Sequence, residues 1–113
     1  MTLPFKSLDA DVAVAPQLTP DAMAEAAAAG FRSVINNRPD FEGGPEQPTN
    51  ASIEAAARSA GLQYAWLPVA SGFQSEAEIA RFAELVDTLP KPILAFCRSG
   101  TRSGRLWQAS RGR

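Results

Sequence analysis

A single cysteine, Cys97, is followed within six positions by two arginines, a glycine and three small hydroxyl residues: Cys97-Arg98-Ser99-Gly100-Thr101-Arg102-Ser103. Each residue type has a use if the sulfur is to act as a nucleophile. Gly100 permits positive φ, and so a tight turn. A loop that runs into a helix N-terminus turns several backbone N–H groups toward one point, a nest for an anion that the helix dipole reinforces. Arg102 offers a planar fork suited to an oxyanion, and Arg98 adds positive charge. N–H donors and guanidinium charge both favour thiolate, so the Cys97 pKa is expected below the ~8.5 of a free cysteine. Ser103 is spaced to hydrogen-bond the sulfur and stabilise it as a leaving group. A lone cysteine that ends a buried strand is usually inert packing, but inert packing gives no reason for the six residues that follow. Cys97, Arg102 and Ser103 are therefore the candidate catalytic residues. Arg98, Ser99, Gly100 and Thr101 are the candidate anion-binding loop.

Other chemistries are excluded by what the 113 residues lack. There is no histidine, so no Ser-His-Asp triad, Cys-His pair or histidine metal site can form. Nothing points to a metal or an organic cofactor. A net charge of -1 and a pI near 5.4 leave no basic field for a nucleic acid backbone. No apolar run approaches the ~20 residues of a membrane span. The start, Met1-Thr2-Leu3-Pro4-Phe5-Lys6, lacks the apolar core of a signal peptide, so the cytoplasm is the expected compartment. With one cysteine no internal disulfide exists, and any sulfur carried on Cys97 must pass to an external thiol.

The loop must be held by the elements around it. Asp11–Ala15 alternates with period two and reads as a strand. Thr19-Pro20-Asp21 supplies an N-cap, a first-turn proline and an acid for a helix that runs to Gly30. Phe31–Asn36 reads as a second strand. Asn37–Pro48, with three prolines and two adjacent glycines, is a loop long enough to hint at function. Ile53, Ala56, Ala57 and Ala60 share one face of a second helix, supported by an i,i+4 Glu54–Arg58 pair and closed by Gly61. Gln63–Val69 is a third strand. Ser75 with Glu78 has capping-box spacing and opens a third helix, with Ile79, Phe82, Val86 and Leu89 on its buried side and Pro90 and Pro92 past its end. Ile93-Leu94-Ala95-Phe96 is a continuous apolar run suited to a strand buried on both faces. Ser103–Trp107 then starts a helix. Strands alternating with helices imply an α/β domain with a mainly parallel central sheet flanked by helices. Ligands of such sheets lie beyond the carboxyl ends of the strands, where Cys97 falls.

The Cys97 loop resembles the active loop shared, with variations, by cysteine-dependent phosphatases and rhodanese sulfurtransferases. Gly30-Phe31-Arg32-Ser33-Val34-Ile35-Asn36-Asn37-Arg38-Pro39-Asp40 looks like the strand-and-loop segment of dual-specificity-type phosphatases. Gly61-Leu62-Gln63-Tyr64-Ala65-Trp66-Leu67-Pro68-Val69 looks like the strand leading to their acid loop. Together with Phe96–Ser103, these segments resemble the bacterial phosphatase-like domain of beta-lactamase-hydrolase-like proteins. The resemblance implies a protein-tyrosine-phosphatase-like fold. It also implies a domain that stands alone or is fused to a metallo-hydrolase or a sulfide-oxidising partner.

Three departures from the phosphatase pattern bear on the reaction. Four residues separate Cys97 from Arg102, the common rhodanese spacing, where phosphatases have five. The tighter loop suits a single sulfur atom better than a tetrahedral phosphate. Phe96 stands where phosphatases usually have histidine, and Val69-Ala70-Ser71-Gly72-Phe73 contains no aspartate to protonate a leaving oxygen. Asp40 and Glu76 are substitutes off the matching position, more naturally a loop acid and a helix-start acid. The chemistry expected first is thus sulfur transfer through a Cys97 persulfide, from a small anionic donor such as a persulfide or thiosulfate to an external thiol. The alternatives are phosphomonoester hydrolysis through a phosphocysteine, and a non-catalytic anion-binding module.

Arg38 and Asp40, at the same sheet edge, are candidates to line the pocket, with an ordinary turn and surface ion pair an equally good reading. Trp66 and Trp107 are expected in packing. By size the chain, residues 1–113, is a single domain, and the resemblance implies that this domain is phosphatase-like. The last helix has barely begun before the sequence ends, as expected of a naturally short chain or of a piece cut from a longer protein.

Overall fold

The structure, a computed structural model, describes residues 3–112. A 5-stranded sheet is ordered β1-β2-β5-β3-β4. Its strands are β1 (Lys6–Ser7), β2 (Val12–Ala15), β3 (Ser33–Asn36), β4 (Gln63–Trp66) and β5 (Ile93–Phe96). Only β1 is antiparallel, so the expected mainly parallel α/β sheet is present. The helices are α1 (Ala22–Ala28), α2 (Asn50–Ser59), α3 (Glu76–Thr88) and α4 (Thr101–Arg111).

The central strand explains the layers. Leu94 and Phe96 of β5 pack on one face with Met23 and Ala26 of α1 and Ile53 and Ala57 of α2. Ile93 and Ala95 pack on the other with Phe82 and Leu85 of α3 and Leu106 of α4. All four β5 residues are fully buried, as a strand covered on both faces must be. The ladder is in register: Ala15 and Asn36 both pair with Phe96, and Asn36 also pairs with Trp66. The residues that follow these strands therefore leave the sheet at one edge, side by side.

Several boundaries move. The first long strand begins at Val12, not Asp11, because Asp9 Oδ1 accepts from both the Asp11 and Val12 N–H groups and holds a turn there. The next is shorter than Phe31–Asn36, since Phe31 N–H is used by Ala26 C=O in the helix stop around Gly30 (φ 101). The Gln63–Val69 strand ends at Trp66; Leu67 and Val69 still donate to the Asn36 and Asn37 carbonyls, but Pro68 has no N–H to give. Thr19 does not cap α1: a turn precedes the helix and Asp21 is its N-cap residue, without a side-chain cap bond. Strand β1, two residues long, carries no periodicity and is invisible in the sequence. The Ser75/Glu78 capping box and the Glu54–Arg58 pair form as their spacing predicts. Trp66 is not core: it lies on the edge strand, 40% exposed, with its indole N–H donating to Arg38 C=O at 3.0 Å. Trp107 does pack against the α3/α4 cluster.

Phe82 is the largest fully buried side chain on the α3/α4 face. Phe82→Ala is expected to cost about 3–5 kcal/mol, read as a lowered urea unfolding midpoint. An unchanged midpoint would mean that this face of the sheet contributes little.

Candidate active site

Cys97 follows β5 directly and is 1% exposed. Its N–H donates to Ala15 C=O at 3.3 Å on one side, while Asn37 N–H donates to Phe96 C=O at 2.9 Å on the other. Backbone on both flanks thus fixes where the sulfur starts. The chain then turns through Gly100, at φ 91, into α4. A Cβ at Gly100 would touch the Ala15 backbone at 3.4 Å, ordinary contact, so the positive φ is what calls for glycine. The helix begins at Thr101, two residues earlier than the Ser103 start read from sequence. That shift puts Arg102 and Ser103 in the first turn, with their N–H groups free of intrahelical partners.

The turn wraps the sulfur in donors. Gly100 N–H lies 3.1 Å from Cys97 Sγ. Burial alone would raise the thiol pKa, but the Ser103, Ser99 and Gly100 N–H groups and the Ser103 hydroxyl outweigh it, holding Cys97 below its ordinary range. The expected thiolate is therefore favoured, with N–H donors as the leading cause. Arg102 is turned elsewhere: its Nη1 donates to Val69 C=O at 3.0 Å and its Nη2 to Glu42 Oε1 at 3.0 Å. Its Nε is buried with no partner among the described residues, a donor that a bound anion would satisfy.

Ser103 is fully buried, and its hydroxyl donates to Asn37 Oδ1 at 2.8 Å. The same hydroxyl is one of the groups that lowers the Cys97 pKa. It has one proton for two acceptors. A negative charge on the sulfur therefore competes with Asn37 Oδ1 for that proton. Asn37 is itself fixed by its Nδ2 donating to Leu67 C=O at 3.0 Å.

A cavity of about 260 Å³ opens on this loop. Cys97, Arg98, Ser99, Thr101 and Arg102 line one side of it; Ser71, Gly72, Phe73 and Gln74 line another, and Arg105 completes it. The structure thus gathers the candidate loop around one space, with Gly100 and Ser103 behind it. It does not bring Arg38 or Asp40 to that lining. Arg38 is 8% exposed because its guanidinium is engaged by Glu42 at 2.8 Å and Gln17 at 3.0 Å. Asp40 Oδ1 accepts from Asn50 N–H at 2.7 Å, at the start of α2. Glu76 opens α3, also outside the lining.

Four residues in or next to the candidate site escape a reading of the sequence. Glu42 joins Arg38 and Arg102 through one carboxylate oxygen; burial opposes its charge, but the Arg102 and Arg38 contacts prevail and hold its pKa below the usual value. Asn37 holds Ser103. Gln74 Nε2 donates to Arg102 C=O at 3.1 Å, one residue past the Val69–Phe73 segment that lacks the expected acid. Only Arg105 had a local signal, its three-residue spacing from Arg102 on one helix. Among the described residues no group of three histidine, cysteine or acidic side chains comes together as a metal site would need. No described helix is long and apolar enough to cross a membrane.

Known proteins share this fold. A protein from Neisseria meningitidis Z2491 described as a candidate phosphatase superposes with a TM-score of 0.82 at 33% identity, over 89% of this chain and 71% of that one. The core catalytic domain of the PP-IP phosphatase SIW14 from S. cerevisiae shares the fold, with a TM-score of 0.70 at 14% identity over 93% of this chain and 64% of its own. The phosphatase-like resemblance therefore holds at the level of fold. A beta-lactamase hydrolase-like protein from Xylella fastidiosa (strain Temecula1) is 40% identical over 99 residues, 88% of this chain. The chain spans only 23% of that relative's length. The model of the phosphatase-like domain of beta-lactamase hydrolase-like proteins matches residues 4–113. With the cysteine loop, the parallel sheet and these matches together, the chain belongs to the phosphatase-like domain family of beta-lactamase hydrolase-like proteins.

Proposed function

We propose that this domain is a sulfurtransferase on a phosphatase-like scaffold, with Cys97 as the nucleophile. The observation that carries the reading is the absence of any carboxyl group among the residues lining the Cys97 cavity, to which the acid-free segment Val69–Phe73 contributes Ser71, Gly72 and Phe73. Hydrolysis of an ordinary phosphomonoester leans on a general acid for ~10²–10⁴-fold of its rate. Sulfur transfer needs none, because its leaving group departs as a stable anion. The Cys97 thiolate attacks the terminal sulfur of a persulfide R–S–SH. A Cys97–sulfur bond forms, the donor S–S bond breaks, and R–S⁻ leaves. An external thiolate then removes the sulfur and regenerates the Cys97 thiolate, with no net oxidation. The loop N–H groups stabilise the persulfide anion between the two steps, and the unmet Nε of Arg102 offers a further donor to it. The external acceptor follows from the single cysteine, and a sulfide-oxidising partner is a fitting destination for the sulfur it receives.

Phosphomonoester hydrolysis is the second reading, favoured by the phosphatase-like description of the family and by the 33% identical candidate phosphatase. The same cysteine would form a phosphocysteine, and turnover would be appreciable only with good leaving groups.

Intact mass measurement after incubation with thiosulfate or a small persulfide separates the two. The expected result is a gain of one sulfur atom on Cys97, lost on adding cyanide or thiol and absent in Cys97→Ser, with negligible para-nitrophenyl phosphate turnover. Phosphate release that Cys97→Ser abolishes, without a sulfur adduct, would put the second reading first.

The lowered thiol pKa also makes a pH prediction. The rate of Cys97 alkylation should rise with pH to a plateau, with its midpoint below that of a free cysteine. Ser103→Ala removes one donor to the thiolate and leaves the backbone donors in place, so the midpoint should move up only part of the way. A midpoint that does not move would remove the hydroxyl from the account of the thiolate.

A further inference from the structure

The cavity holds more positive charge than the reacting sulfur requires. Arg98, Arg102 and Arg105 all line it, and no aspartate or glutamate does. Arg102 is occupied by Glu42 and Val69. Arg98 and Arg105 are exposed, and among the described residues neither has a carboxylate within ion-pair distance. Elsewhere Arg38, Arg58, Arg81 and Arg111 are each paired with an acid, while Arg32, also exposed, has no acid within ion-pair distance among the described residues. What sets Arg98 and Arg105 apart is that both line one cavity and that no carboxylate lines it with them. The third feature is apolar: Phe73 lines the same space and is 71% exposed. An aromatic face at a cavity lip favours contact with a carbon skeleton. At about 260 Å³ the space falls below the ~300–1,000 Å³ of drug-sized pockets, so that skeleton is small.

We infer that the cavity reads a second, anionic group on its substrate, making the preferred donor a small organic persulfide that carries a carboxylate, with Arg98 and Arg105 as the residues that select it. This rests on the sulfur-transfer reading of Cys97 and adds a substrate class to it. The terminal sulfur enters the N–H nest, the carbon skeleton lies against Phe73, and the carboxylate reaches the two free guanidinium groups. Thiosulfate, a compact anion without a skeleton, uses only the nest. Because both arginines are exposed, the selection is screened by salt.

The test compares two matched donors: the persulfide of N-acetylcysteine and that of its methyl ester, which differ in one charge. The readout is the rate of sulfur gain on Cys97 by intact mass. The acid is expected to load about tenfold faster than the ester at low ionic strength. Arg105→Gln should cut that ratio severalfold, and the Arg98→Gln/Arg105→Gln double variant should bring it close to one. Arg81→Gln, on the far side of α3, should leave the ratio as it is. Equal loading of acid and ester by the wild-type protein, or a ratio that survives the double variant, overturns the inference while leaving sulfur transfer standing. Failure of both donors to load Cys97 overturns sulfur transfer and the donor class with it.

Discussion

Backbone hydrogen bonding on both edges of β5 is the constraint from which the site follows. The strand pairs with β2 on one side and β3 on the other, and the last rung of each ladder ends at Phe96. Cys97 then takes Ala15 C=O for its own N–H. A side chain at that point has little freedom in position, because moving it means slipping a register, and a slip would turn Leu94 and Phe96 out of one core face and Ile93 and Ala95 out of the other. The buried sulfur is held by the packing of the whole sheet, and the donors that meet it need only be brought there by the next few residues. Gly100 and the first turn of α4 do this.

The arginine of the loop depends on a different kind of contact. Arg102 is 8% exposed and carries a full charge, which burial opposes. Glu42 answers that charge, and it answers Arg38 with the same oxygen. The loop between β3 and α2 is thereby tied to the start of α4. The anchoring of that loop is further spread over Gln47, which accepts from Gly43 N–H and donates to Pro39 C=O, and over Asp40 at the start of α2. A long connection that holds a charged group opposite a buried arginine has a physical reason to be well ordered.

These two contacts differ in how far the sequence discloses them. The Cys97 loop is legible because its parts are consecutive: residue type and spacing state a turn, a helix start and an anion nest without any long-range knowledge. The alternation of strands and helices is legible for the same reason, since each amphipathic or apolar run reports its own surroundings. Glu42 and Asn37 are not legible, because their partners lie 60 and 66 residues away, and no local pattern marks a residue whose function is to meet another across the sheet edge. Gln74 is hidden in the same way, 28 residues before the carbonyl it meets. Trp66 misleads for a related reason: its strand is at the edge of the sheet, and edge position is a property of strand order, not of the residues in the strand. The direction of the Arg102 fork is not legible either: spacing brings Arg102 near the loop but does not say that its Nη atoms turn to Val69 and Glu42.

The single proton of the Ser103 hydroxyl has a further consequence for the energy of changing the sulfur's charge. The hydroxyl donates to Asn37 Oδ1, and it is also among the groups that lower the Cys97 pKa, so a charge on the sulfur competes with the amide oxygen for that proton. Asn37 is itself held by Leu67 C=O. The charge on the sulfur and the contact that holds Ser103 to Asn37 are therefore linked: what strengthens one draws on the proton that serves the other.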